Sequence, residues 1–462
     1  MRVTVGNVLR IENPTDAVLQ WCKKSLILPN PEYTKKVRMH LWTGTTPKTL
    51  SLMQWDGDCL VLPFGCLATI TELDRGQSEF ISDFPAPVKV DYGATVPLYD
   101  YQGEALGYLN EAYYGVLQSP AGSGKTQIGI ALVAAIGRRT LWLTHTKDLL
   151  DQSKARAELY MSKSLTGTTT EGKVNVGRGI TFATVQTMCK LDLAQYRNVW
   201  DCIIVDECHR CSGSPTAVTQ FSKVLNSLAA RRKYGLSATV HRSDGMIAAT
   251  HALLGGIVHI VPPEAVADKI MPVSIQPVGT EVGLNREFLD TDGTLIYSKL
   301  ITYLTECDER NVLIVGDLVD NADHFNLILS DRLNHLEVLM NSLPPWLREQ
   351  SVMIHGKMTS KKAKEQRVQA LEDVRAGRKR YLFATYSLAR EGLDIPRLDR
   401  LYLTTPQKDY AVVTQSIGRI ARSFEGKGVP IAYDYVDNIQ YLLKSYKKRC
   451  VTYRKCGCEF IE

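Results

Sequence analysis

The sequence predicts an α/β protein with two parallel-sheet lobes that follow a small domain of mixed strands and helices. In the 462-residue chain, short apolar runs alternate with helical segments from Leu98 onward, and a second series of the same kind fills the C-terminal half. Strands that alternate with helices are typical of parallel sheets with crossover helices. Before Leu98, the apolar runs in LILPNPEYTKKVRMHLW and CLVLPFGCL are punctuated by Pro and Gly, which favours a separate small domain.

We expect four segments along the chain: an N-terminal accessory domain at 1–94, a first lobe at 95–258, a linker at 259–300 with room for one more strand, and a second lobe at 301–462. In the first lobe, GVLQ, TLWLT and DCIIVD are the predicted strands, and the helices are KTQIGIALVAAIG and KDLLDQSKARAEL. In the second lobe, the expected strands begin with NVLIV at 311–315 and continue through LEVLM, RYLFAT, RLYLTT and PIAYDYV, around the helical SKKAKEQRVQALEDVRAG.

Composition excludes disordered and fibrous classes, since 44% of the residues are apolar and 23% are charged. The net charge of +6 permits nucleic-acid binding through local patches but does not argue for it. Residues 1–50 carry eight Lys/Arg against three Asp/Glu, whereas residues 51–94 carry two against seven. The N-terminal domain therefore has a basic part followed by an acidic one.

The N-terminal residues lack the pattern of a secretory signal, and the longest apolar run, 128–136, is far shorter than the ~20 residues of a membrane span. We therefore expect a protein of the cytosol, or of the host cytosol if the chain is of phage origin. Eleven cysteines in that compartment are expected to be reduced. Cys450, Cys456 and Cys458 could supply thiolates to zinc, but nothing nearby completes four ligands, so a reduced tail is favoured over a metal site.

A loop of small residues indicates a phosphate site. It runs from Ser119 to Thr126, follows the strand VLQ and opens an apolar helix. Such a loop points backbone N–H groups at phosphates, its lysine reaches the β and γ phosphates, and the following hydroxyl binds Mg²⁺. The predicted nucleotide-binding residues of the loop are Ser119, Ala121, Gly122, Ser123, Gly124, Lys125 and Thr126. Ser119 stands where the usual pattern has its first glycine, and the alternative is a chance glycine-rich turn.

The run DCIIVDECHR predicts a second part of the same site. Four apolar residues form a buried strand that delivers Asp206 as a Mg²⁺ ligand, beside Thr126, and Glu207 as the base that activates water. The alternative is a strand-end turn with two solvated acids. His209 is either a surface residue or a sensor that links the nucleotide site to the second lobe.

These motifs resemble those of the superfamily 2 helicases and translocases, over some 320 residues. Gln102 in LYDYQGEAL resembles the adenine-reading glutamine, and Asp206-Glu-Cys-His209 and Ser237-Ala-Thr239 match the second and third helicase motifs. Phe383-Ala-Thr385 with Glu391-Gly-Leu-Asp394 resembles the fifth motif, and Gln415-Ser-Ile-Gly418-Arg419-Ile-Ala-Arg422 the sixth.

The resemblance implies two RecA-like lobes with ATP and Mg²⁺ as cofactors. It implies that Gly392 and Asp394 help to bind the nucleotide, that Gln415, Arg419 and Arg422 are catalytic, and that His209, Ser237 and Thr239 couple hydrolysis to movement. Arg419 and Arg422 are three residues apart, so we expect both on one face of a helix as arginine fingers. The alternative for this pair is a solvated helix face.

The resemblance also implies a nucleic-acid path. In the lobes it comprises Thr146, Lys147, Thr184, Gln186, Thr187 and Thr385, whose side chains suit a phosphate backbone better than base edges. Ordinary helix caps and loop polars explain the same residues in the first lobe. In the N-terminal domain, Lys35, Lys36 and Arg38 are candidate phosphate contacts, with a purely structural basic edge as the alternative. The C-terminal YLLKSYKKRCVTYRK fits phosphate neutralisation and an amphipathic closing helix equally well.

The DECH form of the second motif and the QxxGRxxR form of the sixth resemble the DNA-directed group with XPB-type and phage UvsW-type motors. We therefore expect an ATP-dependent DNA helicase or translocase that acts on duplex, forked or junction DNA, with a single strand in its path and replication or recombination proteins as possible partners. An RNA helicase, an ATP-gated nucleic-acid clamp and a motor subunit of a larger complex remain alternatives. Adenine selectivity is expected to be loose, because Tyr99 stands where related motors often carry an arginine. Tyr99 or Tyr101 could stack on the base instead.

Overall fold

The computed structural model describes residues 1–461 apart from 75, 77, 240–245, 267–269, 284–287, 290–292, 294, 359, 391, 392 and 394. The chain divides into two compact units. One unit contains Met1–Pro120 and Gly124–Pro262, and the other contains Pro263–Glu462 together with Ala121–Ser123.

The N-terminal domain of the first unit is built on a five-stranded sheet in the order β5-β6-β2-β1-β7. The pairs within it are antiparallel except β1 with β7, which is parallel. The strands β3 and β4 form a separate antiparallel pair. The elements are β1 (Arg2–Val5), β2 (Val8–Glu12), α1 (Asp16–Ser25), β3 (Ile27–Pro29), α2 (Pro31–Arg38), β4 (Thr49–Ser51), β5 (Gln54–Asp56), β6 (Cys59–Pro63), α3 (Leu67–Asp74) and β7 (Glu79–Ser82).

The first lobe contains a seven-stranded parallel sheet in the order β10-β11-β9-β12-β13-β8-β14. Its central strands are almost continuously buried, as expected for a parallel sheet covered on both faces. The elements are α4 (Asp100–Glu111), β8 (Tyr114–Gln118), α5 (Lys125–Ile136), β9 (Thr140–Thr144), α6 (Lys147–Ala157), β10 (Thr166–Thr169), β11 (Ile180–Thr184), α7 (Val185–Met188), β12 (Cys202–Asp206), α8 (Pro215–Ser227), β13 (Arg232–Ser237), α9 (Ile247–Leu254) and β14 (Ile257–Ile260).

The second unit repeats the plan with a seven-stranded parallel sheet in the order β17-β18-β16-β19-β20-β15-β21. The elements are β15 (Ser274–Thr280), α10 (Tyr297–Glu306), α11 (Asp308–Asp320), β16 (Asn326–Ser330), α12 (Leu333–Ser342), α13 (Pro345–Arg348), β17 (Ser351–Ile354), α14 (Lys361–Arg375), β18 (Tyr381–Thr385), α15 (Tyr386–Arg390), β19 (Arg400–Leu403), α16 (Tyr410–Ile420), β20 (Ile431–Asp437), α17 (Gln440–Lys455) and β21 (Glu459–Phe460). The predicted fold class, two parallel-sheet lobes after a small mixed domain, is confirmed.

Two strand predictions in the second lobe were wrong. NVLIV at 311–315 lies inside α11, and LEVLM lies inside α12. In α11 the buried positions are Arg310, Asn311, Ile314 and Leu318, whereas Val312 is 70% exposed. This spacing of three and four residues is helical, so the period of burial outweighs the β preference of the branched side chains. The first strand after the linker region is instead β16, with the sequence NLILS.

The C-terminal tail forms α17, which packs on its own lobe as the closing-helix interpretation predicts. Arg449 donates two hydrogen bonds of 2.8 Å to the carboxylate of Asp434. The outward positions of α17 carry Lys444, Lys447 and Lys448. Cys450, Cys456 and Cys458 are unbridged, and within the described ranges no three His, Cys, Asp or Glu side chains are arranged to hold a metal ion. Among the helices described, none has the length and apolarity needed to cross a membrane.

The N-terminal domain and the first lobe share one core. Ala249 and Ala252 of α9 belong to the same buried cluster as Val3, Leu9 and Leu60. The backbones approach closely: a Cβ on Gly65 would lie 2.3 Å from the backbone nitrogen of Gly255, so only glycine fits there. The accessory domain is therefore packed firmly on the lobe that carries the phosphate loop.

Lys233 on β13 joins the same two parts from inside the protein. Its side chain is fully buried, and its Nζ donates to the carbonyl oxygens of Asn7 (3.0 Å) and Leu225 (2.8 Å). The ammonium also lies 4.9 Å from the centroid of the Phe64 ring. Burial lowers the pKa of Lys233 to about 7.

This buried amine makes stability depend on pH. Between pH 7 and 10.5 the unfolded state binds more protons at Lys233 than the folded state, so the free energy of unfolding should rise with pH across that window. Lys233→Met should remove this contribution, so the wild-type slope should exceed the variant slope by at most ~1.4 kcal/mol per pH unit. Urea unfolding at several pH values measures both slopes. The exposed Lys190→Met is the control, and equal slopes for wild type and Lys233→Met would contradict the prediction.

Candidate active site

The predicted phosphate loop connects β8 to α5. Gly122 and Gly124 adopt φ values of +85° and +79°, which the loop tolerates because neither residue has a Cβ. Lys125 is the first residue of α5 and is 8% exposed. Its Nζ donates to the carbonyl oxygens of Ser119 (3.4 Å) and Pro120 (3.3 Å), so the ammonium folds back over its own loop. From this position the ammonium is placed to reach phosphates held by the loop.

Gln102 of α4 lies against the same loop. Its side chain is 3% exposed, and its Oε1 accepts a hydrogen bond of 3.0 Å from the backbone N–H of Tyr99. A Cβ on Gly124 would lie 2.5 Å from Nε2 of Gln102, so the amide fills the space that glycine leaves. The rings of Tyr99 and Tyr101 stack on each other, with centroids 6.0 Å apart and an interplanar angle of 18°.

Asp206 ends β12 and is buried. Its Oδ2 accepts a hydrogen bond of 3.2 Å from Ser153, and its Oδ1 accepts one of 3.0 Å from the backbone N–H of Glu207. Burial, and after it the charge of Glu207, raises the pKa of Asp206 to about 6, against the opposing effects of Lys125 and Ser153. A buried carboxylate in this state favours an additional cation.

The donor set fits Mg²⁺. The carboxylates of Asp206 and Glu207 and the hydroxyl of Thr126 are hard oxygen ligands, which Mg²⁺ prefers. Asp206 and Thr126 are the residues that would hold the ion, which would neutralise charge on the phosphates when bound.

Ser153 was missed by the sequence analysis. It occupies the inward face of α6 together with Leu150 and Ala157, and these three are the buried residues of that helix. A serine on an otherwise apolar helix face indicates a buried hydrogen bond. The sequence pattern does not identify Asp206 as the partner in that bond.

A chain of polar contacts, of which the last two are hydrogen bonds, joins the second predicted motif to the third. Glu207 adopts φ +49°, and its Oε2 lies 3.3 Å from Nδ1 of His209. The same Nδ1 lies 3.0 Å from Oγ of Ser237, whose hydroxyl donates to the carbonyl oxygen of Thr239 at 2.7 Å. Because the serine proton goes to Thr239, His209 carries its proton on Nδ1 and donates it. His209 is therefore a buried link between Glu207 and Ser237, not a surface residue.

In the second unit, Arg419 and Arg422 do not share a helix face, and that prediction was wrong. Arg419 lies in the last turn of α16, and its Nη1 donates to the carbonyl oxygen of Leu393 at 2.9 Å. The helix ends at Ile420, and Arg422 forms an antiparallel bridge with Ile270. Spacing alone predicts a shared face only while the helix continues, and here the backbone leaves it between the two arginines.

Lys427 anchors the segment that carries Arg422. Its Nζ donates to the carbonyl oxygens of Ile420 (2.6 Å), Arg422 (2.8 Å) and Pro396 (2.9 Å). Burial lowers the pKa of Lys427 to about 8. The sequence analysis missed this residue, because a lysine after a helix is ordinarily a solvated one.

The remaining predicted residues of the second lobe are Gln415, Thr385, Gly392 and Asp394. Gln415 is 6% exposed, and its Oε1 has no hydrogen-bond partner within the described part of the chain. Thr385 ends β18, and its hydroxyl lies 3.1 Å from that of Ser387. Gly392 and Asp394 lie outside the described residues.

Several of the predicted nucleic-acid contacts in the first lobe have partners within the protein. Thr146 caps α6 by accepting from the N–H of Leu149. Thr184 and Thr187 are buried, with their hydroxyl oxygens 2.9 Å apart. These contacts match the helix-cap and loop-polar alternative.

Two further residues of this path retain exposed polar groups. Gln186 is hydrogen-bonded to Nδ1 of His145 at 3.1 Å. Lys147 forms an exposed ion pair of 3.2 Å with Glu171. His145, whose pKa is lowered chiefly by burial, was not identified from the sequence.

In the N-terminal domain, Lys35 and Arg38 are exposed at the end of α2. Lys36 is instead engaged with Glu32 (3.3 Å) and with the hydroxyl of Thr46 (2.6 Å). Of the three predicted basic residues, Lys36 is therefore in an ion pair, whereas Lys35 and Arg38 form none with the described residues.

Comparison with known proteins finds a matching family model for each of the two lobes. The family model described as the res subunit of type III restriction enzymes matches residues 95–242, and the helicase conserved C-terminal domain matches residues 299–424. The chain is 26% identical to protein L396 of Acanthamoeba polyphaga mimivirus, named as an ATP-dependent RNA helicase, over 71% of this chain and 61% of that one. It is 25% identical to helicase D10 of Escherichia phage T5, over 75% and 73% respectively.

A third relative is the DNA 3'-5' translocase XPB2 of Sulfurisphaera tokodaii, which is 28% identical over 42% of each chain. Among solved structures, yeast Dbp5 bound to RNA and ADP BeF3 aligns with a TM-score of 0.57 and 16% identity, over 79% of this chain and 90% of that one, which supports the RecA-like fold of the lobes. The chain spans 61% of the length of the mimivirus relative and less than half of XPB2. With both helicase domains matched in order, the chain belongs to the superfamily 2 helicases and resembles their XPB-type and phage members.

Proposed function

We propose that this protein is an ATP-dependent DNA helicase or translocase that acts on forked, junction or other branched DNA. The observation that carries the proposal of a motor is the chain of contacts in which Glu207 lies 3.3 Å from His209, and His209 is hydrogen-bonded through Ser237 to Thr239. It ties the group beside the phosphates to the end of a neighbouring strand, so loss of the γ phosphate can change the position of that strand end. The DECH form of the motif and the similarity to XPB2 support DNA as the substrate.

Each side chain of the nucleotide site has a distinct role in this proposal. Lys125 neutralises the β and γ phosphates, Thr126 and Asp206 hold Mg²⁺, and Glu207 activates the attacking water. Gln102 recognises the adenine through its amide. Ser119, Ala121, Gly122, Ser123 and Gly124 present backbone N–H groups to the phosphates.

The second lobe supplies the cations in this proposal. Arg422 and Arg419 stabilise charge on the γ phosphate, and Lys427 holds the backbone of Arg422 in place. Gln415 completes the site with a buried acceptor, and Gly392 and Asp394 contact the nucleotide.

The nucleic-acid path is proposed to run over Lys147, Gln186 and Thr385, with Thr146, Thr184 and Thr187 shaping the loops beneath it. Lys35 and Arg38 of the accessory domain, residues 1–94, would engage the duplex or branched part of the DNA. Because this domain shares a core with the first lobe, it would hold the DNA at a constant position relative to the phosphate loop.

An RNA helicase is the second candidate. This candidate is favoured by the similarity to mimivirus L396, which is named as an RNA helicase and aligns with 71% of this chain. A clamp that hydrolyses slowly without moving, or a motor subunit of a larger complex, would use the same site. Stimulation of ATP turnover by different nucleic acids separates DNA from RNA, and strand displacement separates a motor from a clamp.

Lys125→Ala and Glu207→Gln should both abolish ATP turnover, for different reasons. The first removes the cation on the phosphates and should weaken nucleotide binding. The second keeps binding but should lower turnover by at least about 100-fold, because the base is lost. Turnover and binding of a fluorescent ATP analogue measure the two effects, with the exposed Lys190→Ala as control. Near-normal turnover in either variant would show that the site is misassigned.

Arg422→Ala should retain ATP binding and lose about 10³-fold or more in turnover if this residue is the arginine finger. Arg419→Ala tests the other cation, whose guanidinium also donates to the carbonyl of Leu393. Single-turnover hydrolysis measures both variants. A loss of only a few-fold in Arg422→Ala, with a large loss in Arg419→Ala, would transfer the role to Arg419.

ATP turnover with matched amounts of single-stranded DNA, linear duplex, a four-way junction and RNA tests the substrate, with Lys125→Ala as the blank. The proposal expects the strongest stimulation from the junction or fork, since the accessory domain then contributes to binding. Stimulation by RNA alone would replace the DNA assignment with the RNA helicase.

A further inference from the structure

The loop that joins β3 to β4 carries an exposed apolar tip. Residues 30–48, called here the basic projection, include α2 and the turn that follows it. Trp42 is 87% exposed, and Val37, Met39 and Leu41 are each more than half exposed. A large aromatic side chain so fully in water, among other exposed apolar groups, is typical of a binding site.

The basic projection is ordered at its base. Asn30 is 1% exposed; its Oδ1 accepts from the N–H of Glu32 at 2.9 Å, and its Nδ2 donates to the carbonyl of Pro47 at 2.8 Å. The backbone N–H of Asn30 also bonds to the carbonyl of Lys48 at 3.0 Å. One buried asparagine thus closes the two ends of the projection.

The tip itself is braced. Lys36 bridges α2 to Thr46 across the turn, and the N–H of Leu41 bonds to the carbonyl of Lys36 at 2.9 Å. Gly44 adopts φ +50°, and a Cβ there would lie 2.7 Å from the ring of Trp42. One part of the indole therefore rests on glycine backbone while the rest faces solvent. A ring held in this way loses little freedom on binding.

The surroundings of Trp42 are cationic. Lys35, Arg38, His40 and Lys48 are exposed in the projection. Glu32 is the only acidic residue of segment 30–48, and it is paired with Lys36. Exposed aromatic rings among cations are the combination that binds single-stranded nucleic acid, where bases stack and phosphates pair with charge.

We propose that Trp42 stacks on an unpaired base, or on the last base pair, at the junction between single and double strands, while Lys35 and Arg38 bind the adjoining phosphates. This inference rests on the proposed function and extends it, because it assigns the contact that recognises a branch point. An apolar side chain inserted between bases separates them, and the cations hold the strand while it does so.

Affinity of the full-length protein for a forked DNA tests this proposal. The fork carries 2-aminopurine at the first base beyond the junction, so stacking quenches its fluorescence. Trp42→Ala should bind about 5- to 150-fold more weakly and lose the quenching, because a base–aromatic stack is lost. Trp42→Phe, which retains a ring, should restore part of both. Trp55→Ala is the matched control, since Trp55 is 50% exposed in the same domain but lies on β5.

The outcomes separate this inference from the proposed function. ATP turnover of the control Trp55→Ala with saturating single-stranded DNA should equal that of the wild type, because Trp55 lies outside both the nucleotide site and the basic projection. Fork affinity and quenching unchanged in Trp42→Ala would overturn the inference and indicate a protein partner for the tip, with the DNA motor intact. An equal loss in Trp55→Ala would also overturn it. Wild-type turnover that no nucleic acid stimulates would refute the proposed function itself.

Discussion

The pairing of β13 between β12 and β8 is the constraint on which the first lobe depends. Its register sets Asp206 opposite Leu236 and Ser237 opposite Gln118, so three parallel strands end at one edge of the sheet. The residues that follow these ends are the phosphate loop, Glu207 and Thr239. A further hydrogen bond, from the N–H of Ser119 to the carbonyl of Ser237, holds the first motif to the third. The chemistry of the lobe is thus assembled by backbone pairing before any ligand binds.

Buried charges divide into two kinds in this protein. Arg449 pairs with Asp434, and Arg310 pairs with Asp437 at 2.8 Å, so each charge is compensated within the second lobe. Asp206 has no comparable ion pair among the described residues, and burial beside Glu207 raises its pKa. Removal of one partner from such a pair would leave an uncompensated buried charge, which is strongly destabilising. The incompletely compensated carboxylate is held by strand β12 at a cost that a bound cation relieves, which is why it indicates a site rather than a structural contact.

The accessory domain and the first lobe share a buried apolar cluster. The close approach of Gly65 to Gly255 and the hydrogen bond from the buried amine of Lys233 to Asn7 add two further contacts between the two parts. A loop such as the basic projection gains from this arrangement, because a binding group is precise only when its support is rigid. Trp42 and Lys125 therefore belong to one compact unit of the chain.

The sequence alone determined the fold class, and it predicted the phosphate loop and the roles of Lys125, Asp206 and Glu207. These depend on local order along the chain: apolar strands, a small-residue loop, and acids directly after a buried run. The spacing of the buried positions around 311–315 is helical, but the branched residues in this segment favoured the prediction of a strand.

Only the tertiary structure decided which distant groups meet. Ser153 bonds to Asp206 across 53 positions, and His209 bonds to Ser237 across 28. It also decided that α16 ends between Arg419 and Arg422, because Arg422 pairs with Ile270 from a segment far away in sequence. Contacts of this kind depend on strand order and packing, which a local pattern of residues does not encode.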